Sequence, residues 1–244
     1  MLIKDTHGNV AILKIDRPRQ ANALNAELFE LLSNKLKELQ DDERIRVVII
    51  TGAGEKAFCA GIDLKERANK NFDEMLLERE TIIRAFYQTL GYFTKPTIAA
   101  LNGPALGGGA ELALTCDLRV ATPMASFGQT EIKWGMIPSC GGCQRLRLIV
   151  GMGKAKEIIL TGRVLEAGEA YRLGIYNKIV RIEDLTKEAI RLAREIAGNP
   201  IVAVKQAKKV LDFGAYINSA LDFDFEASKE CFSKGDAQKI AKKF

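Results

Sequence analysis

The chain has 244 residues, 47% of them hydrophobic and 27% charged, with a formal charge of +5. That length and balance suit one large domain, or one domain with a helical appendage, and exclude a mainly disordered chain. The mild positive charge suits an anionic small molecule as well as a nucleic acid. Five cysteines, at 59, 116, 140, 143 and 231, are an odd number in a chain that is not small. A disulfide framework is therefore not expected, and a reducing, cytoplasmic location is. No basic segment followed by a long apolar run opens the chain. No stretch approaches about 18 uninterrupted apolar residues, so no membrane helix is expected.

In chain order, Met1 to Asp16 alternates polar and apolar residues, and Val10 to Ile15 reads as a strand. Asn25 to Gln40 carries Leu28, Leu31, Leu32, Leu36 and Leu39 at the spacing of an amphipathic helix. Val47 to Ile50, closed by Thr51-Gly52, is a buried strand. Phe72 to Gly91 has a helical period. Thr97 to Leu101 is a second buried strand, ended by Asn102-Gly103-Pro104. Gly107-Gly108-Gly109 leads into a helix at Glu111 to Leu114, and Leu118 to Ala121 is a third strand. The alternation predicts an α/β fold with layered sheets. From about Thr186 onward the pattern is nearly all helical, so residues 1–185 form the expected core and 186–244 a helical C-terminal region.

Three glycine-containing segments stand out. They are Phe58-Cys59-Ala60-Gly61-Ile62-Asp63-Leu64-Lys65, Asn102 through Glu111, and Phe127-Gly128-Gln129-Thr130-Glu131 with Gly135-Met136-Ile137-Pro138 and Gly141-Gly142 behind it. Glycine lets a backbone approach a ligand closely. At a helix start it exposes N–H groups aimed along the positive end of the dipole. Two such N–H groups can hold the oxyanion of a polarised carbonyl. The second segment supplies one, and the Ala-Gly turn before Asp63 can supply the other. Two glutamates, Glu111 and Glu131, follow glycine-rich approaches, where paired carboxyls for acid–base work would stand.

Blander readings compete for each feature. Three glycines in a row often make a plain loop or a packing contact. Glu131 alone reads as a solvated surface carboxylate, and Asp63 as a helix cap. Cys140 and Cys143 have a C-x-x-C spacing, but His7 is the sole histidine and lies far off, so no metal site is expected. Lys205, Lys208 and Lys209 make one helix stripe, read as a solvated face.

Taken together and in order, these segments resemble the crotonase (enoyl-CoA hydratase/isomerase) superfamily from about Val10 to Arg172. Asp16-Arg17-Pro18, Asn22-Ala23-Leu24-Asn25 and Leu160-Thr161-Gly162 add to the likeness. The resemblance implies a spiral of repeated ββα units and a helical C-terminal region used in trimer contacts, with trimers pairing into hexamers. It implies an acyl-CoA substrate, with coenzyme A as part of that substrate and no separate cofactor. The N–H groups of Ile62 and Gly108 become the oxyanion hole. Ala60 and the stretch Ile62, Asp63, Leu64 and Lys65 border the CoA, and Ala21 and Ala23 face its adenine end.

Glu111 and Glu131, 131 − 111 = 20 residues apart, fall where the family's hydratases keep two catalytic glutamates. The implied reaction is syn addition of water to a 2,3-enoyl thioester, Glu131 giving the proton to C2 and Glu111 activating the oxygen for C3. A backbone N–H near Ser139 would help hold the water, and Trp134 would stand near the acyl pocket. Ser139, Cys140, Cys143, Trp134 and a short C-terminus depart from common family patterns. Alternatives are an enoyl-CoA isomerase, which need not use both glutamates, a catalytically silent member, and an RNA-binding protein on the same scaffold. No aromatic residues interleave with the lysine stripe, which weakens that last reading.

Overall fold

A computed structural model describes residues 1–213 and 229. Its N-terminal hairpin pairs β1 (Leu2–His7) with β2 (Val10–Ile15) antiparallel, turning at Gly8. Helix α1 (Ala26–Asp41) starts at Asn25, whose side chain accepts the Leu28 N–H, and buries Leu28, Phe29, Leu32, Leu36 and Leu39. Strand β3 (Val47–Gly52) follows, then the short helices α2 (Leu64–Ala68) and α3 (Phe72–Glu78). The expected single helix over Phe72 to Gly91 is interrupted. A π-helical turn at Arg79–Ile83 separates α3 from α4 (Arg84–Gly91). One extra residue per turn re-aims the face of such a helix, a device concentrated at functional sites.

Strand β4 (Thr97–Leu101), the short β5 (Ala105–Leu106), helix α5 (Gly108–Thr115), β6 (Leu118–Ala121) and the short β7 (Phe127–Gly128) come next. Helix α6 (Gly142–Thr161) breaks at Gly151, and α7 (Ala167–Arg172) and β8 (Lys178–Ile179) lead to α8 (Leu185–Ala197) and α9 (Ile201–Phe213). The main sheet runs β1-β2-β3-β4-β6-β8, parallel from β2 onward, and β5 pairs with β7 in a small second sheet.

Both faces of the main sheet are covered, which is why its strands read as continuous apolar runs. Leu13, Ile15, Val48, Ile50, Ala99, Leu101 and Ala121 share one core with α1, α4 and α5. Val10, Ile12, Val47, Ile49, Ile98, Ala100 and Val120 share a second with Leu185, Ala189, Ala193 and Ala197, the i, i+4 stripe of α8. The N-terminal part of the helical segment expected at 186–244 thus packs on the sheet. Most of the rest, including Cys231 and the short terminus Gly235 to Phe244, lies outside the described residues.

The lysine stripe is not uniformly solvated. Lys208 is ion-paired to Asp117 of the loop before β6 and, at 2.9 Å, to Asp212, with only 11% of its side chain exposed. It docks α9 against the core, a long-range partner that helical periodicity does not reveal.

Candidate active site

Helix α5 is buried on every side, yet it carries Glu111, itself 3% exposed. A charge in such a helix requires dedicated partners. They come from the start of α6, where the N–H groups of Cys140 and Gly142 donate to Glu111 Oε1 at 2.7 and 3.0 Å. The Cys140 N–H beside Ser139 thus bonds Glu111. Arg145, buried on α6, donates to Cys140 O at 2.9 Å and adds positive charge near Glu111.

Close packing brings the first glycine segment onto α5. A Cβ at Gly109 would stand 2.1 Å from Cys59 O, so only glycine allows this contact. Gly61 turns at φ +101°, a left-handed conformation that favours glycine. Ala21 to Leu24 runs beside this turn: Ala60 N–H donates to Ala21 O at 3.0 Å, Leu24 N–H to Gly61 O at 2.8 Å, and Asp63 N–H to Leu24 O at 2.9 Å. Arg17 clamps the pair of segments, bonding Ala23 O and, at 2.9 Å, Asp63. Asp63 also caps α2 by accepting the Lys65 and Glu66 N–H groups, so its capping role is real.

The backbones of Ile62 and Gly108 are thereby brought close together. A Cβ on Gly108 would sit 3.6 Å from the Ile62 nitrogen. Gly108 opens α5, where N–H groups have no partner within the helix. The buried Tyr87 hydroxyl on α4 donates to Gly108 O at 2.7 Å and steadies that peptide chain. Burial pushes the Tyr87 phenol well up, so it remains a donor.

The third segment arrives through the β5–β7 pair. Gly107 N–H donates to Gly128 O at 2.8 Å, and a Cβ at Gly107 would lie 3.6 Å from Glu131 Oε1. Glu131 begins a 3-10 turn, Glu131–Trp134. Its carboxyl is driven well above the ordinary carboxylate range, first by burial and then by the charge of Glu111. The Gln129 amide satisfies its neighbours only with its nitrogen toward Glu131, 3.3 Å from each carboxyl oxygen.

One open cavity collects these groups. Its wall includes Ala60, Ile62, Leu64, Gly108, Glu111, Glu131, Trp134 and Ser139, all singled out from the sequence. Trp134 faces this space. Ala21, Ala23, Asp63 and Lys65 stand beside the wall, in the segments just described, and are not part of it. Thr130, Met136 and Ile137 in the wall, and Gln129 behind it, belong to the third glycine segment without having been named as site residues, whereas Arg67 and Arg79 in the wall, and Tyr87 and Arg145 behind it, were not singled out at all. The one available signal was the presence of arginines within a helical stretch whose other residues supply core positions. Cys140 serves through its backbone, and burial pushes its thiol up. Among the described residues no group of three His, Cys, Asp or Glu side chains could hold a metal ion.

A family model described as enoyl-CoA hydratase/isomerase matches residues 5–244. A short-chain-enoyl-CoA hydratase of Clostridium acetobutylicum is 41% identical over 237 residues, covering 96% of this chain and 90% of that protein. A crotonyl-CoA hydratase of Syntrophomonas wolfei is 36% identical over 237 residues, covering 96% and 91%. The crystal structure of an enoyl-CoA hydratase from Bacillus anthracis matches with a TM-score of 0.86 at 41% identity, over 95% of this chain and 89% of that one.

Proposed function

The chain belongs to the enoyl-CoA hydratase/isomerase family, and on that premise we propose that it adds water across the double bond of 2,3-enoyl-CoA thioesters. The observation that carries this reading is that Glu111 and Glu131 line one cavity together with the closely approaching backbones of Ile62 and Gly108. The thioester carbonyl oxygen accepts from Ile62 and Gly108, which draws electrons from C3 and stabilises the enolate-like charge. Glu111, oriented by two N–H donors, takes a proton from water as the hydroxyl oxygen bonds to C3. Glu131, kept protonated by burial and by its neighbour's charge, delivers a proton to C2. The proton gained by Glu111 returns to Glu131 through the next water, so one water is consumed per turnover. The two groups titrate as a pair, and the roles describe that pair in its reactive state.

The chemistry asks for no separate cofactor, coenzyme A being part of the substrate. The reading extends to a short or flat acyl group, because Trp134 stands in the cavity wall. It also extends to a trimer or pair of trimers, supported by exposed apolar side chains such as Leu148 and Met152 on α6 and Val210 and Leu211 on α9. Thiols at Cys59, Cys116, Cys140 and Cys143 suit a reducing cytoplasm. The deciding experiment follows loss of the conjugated enoyl absorbance with a panel of 2-enoyl-CoA thioesters. Turnover to 3-hydroxyacyl-CoA supports the reading. Migration of the double bond without water uptake would replace it with an isomerase.

A further inference from the structure

Two buried asparagines converge on one backbone carbonyl, Ala57 O. Asn22, on the turn before α1, donates to it at 2.7 Å and to Ala53 O at 3.0 Å. Asn102, just past β4, donates to it at 3.1 Å and to Gly54 O at 2.7 Å. Each amide oxygen is also used. Asn22 accepts from the Arg17 N–H and Asn102 from the Gly52 N–H, both at 3.1 Å. With two donors the Ala57 carbonyl is saturated. Gly103 closes the contact, since a Cβ there would stand 2.9 Å from Ala57 Cα.

Ala57 stands just ahead of the first glycine segment. That segment is flanked on both sides by the stretches that carry the asparagines. On one side the Phe58 and Cys59 N–H groups donate to Pro104 O at 3.0 and 3.2 Å, and the Leu106 N–H donates to Cys59 O at 3.1 Å. These bonds frame a parallel bridge between Cys59 and Ala105. On the other side Leu24 bridges Ile62, also in parallel. Ile62 and Gly108 each lie three residues beyond the Cys59–Ala105 bridge. Their approach therefore depends on the register of a very short pairing. Such a pairing specifies its register weakly by itself. A slip of one residue would carry one backbone N–H about 3.3 Å along the chain. That displacement takes a donor out of hydrogen-bond range of an oxyanion.

We propose that Asn22 and Asn102 are positioning residues for the oxyanion hole: by fixing Ala57 O from both flanking stretches, they set the register that brings Ile62 beside Gly108. Neither side chain belongs to the cavity wall, so both act through the backbone of the first glycine segment. A side-chain amide suits this task because it donates and accepts at once, tying separate stretches of chain at one point. The inference rests on the hydratase reading and adds two residues to its carbonyl-polarising part.

Asn22→Gly and Asn102→Ala each remove one donor from Ala57 O. Glycine suits the left-handed φ of 58° at Asn22. The readout is the thioester carbonyl stretch of bound butyryl-CoA, isotopically labelled at that carbonyl, in difference infrared spectra. Hydrogen bonds from Ile62 and Gly108 should lower this frequency in the wild type. In each folded variant it should return toward the frequency of free butyryl-CoA. Turnover of crotonyl-CoA should fall by about 10–10² in kcat, less than the full loss of an oxyanion donor, with a smaller change in KM. A merely structural role would lower the melting temperature and leave the carbonyl frequency of the folded variants where it was. Wild-type frequency and kcat in either folded variant would overturn the proposal for that residue. Loss of the fold in both would also overturn it, because the amides would then support the whole molecule rather than the register. If the wild type does not hydrate crotonyl-CoA, the hydratase reading fails, and the carbonyl shift still decides the role of the asparagines.

Discussion

Glu111 and Glu131 face one cavity from unlike supports. Glu111 sits inside a buried helix, and two N–H groups at the start of α6 point at a single oxygen. Glu131 sits on a short 3-10 turn, a half-buried residue whose carboxyl end is enclosed and pushed toward its neutral form. Fixed donors suit a group that must stay ionised and in place. An enclosed carboxyl near a like charge suits one that must hold a proton at neutral pH. The contrast teaches that identical side chains acquire opposite duties from their surroundings, so the most direct experiments remove one support at a time.

The largest effect is expected from the carboxyls themselves. Glu111→Gln and Glu131→Gln should each lower kcat for enoyl-CoA hydration by about 10²–10⁴, while butyryl-CoA still binds in calorimetry. Near-normal turnover in either variant would sink the paired mechanism. Next comes Gly108→Val, where the new side chain meets Ile62 and the Tyr87 hydroxyl. Loss of one oxyanion donor is worth on the order of 10²–10³ in kcat, and a folded variant with normal turnover would remove Gly108 from that role.

Trp134→Leu tests the cavity wall on the same turn as Glu131. The wild type should favour four-carbon over ten-carbon enoyl-CoA, and the variant should narrow that gap, each methylene being worth roughly 1–3 kcal/mol in such a pocket. Equal rates across lengths in the wild type would mean the indole sets no limit. Tyr87→Phe should have a smaller effect, several-fold to about tenfold in kcat, as expected for one lost hydrogen bond. An unchanged kcat would mean that the helix alone positions Gly108.

The smallest effect is a matter of pH and stability. The folded-state pKa of Glu131 is raised, so its contribution to stability is full below the unfolded value, about 4.3, and is lost as pH rises through the folded value. Glu131→Gln should therefore flatten the fall of thermal stability with rising pH and melt above the wild type on the alkaline side. An identical pH slope in both proteins would contradict the enclosed, neutral carboxyl.

Much of this molecule was legible in the linear order of residues. Strands β2, β3, β4 and β6 appeared as short apolar runs, and the leucines of α1 as a helical stripe, because local periodicity survives without knowledge of partners. The glycine segments and both glutamates were readable for a similar reason, since motif order carries them. The π-helical turn escaped notice because Phe72 to Gly91 keeps an ordinary helical composition. The Lys208 stripe was misread because Asp117, its partner, lies 91 residues away.

By itself, then, the sequence determined the α/β class, the family and the residue types available for chemistry, all of which depend on local pattern. Only the tertiary structure decided that β5 and β7 pair to bring Glu131 beside Gly107, that Cys140 and Gly142 donate to Glu111, and that Arg67 and Arg79 enter the same wall. These are contacts between distant segments. Their strength depends on burial and on the directions of backbone groups, and neither quantity exists until the chain has folded.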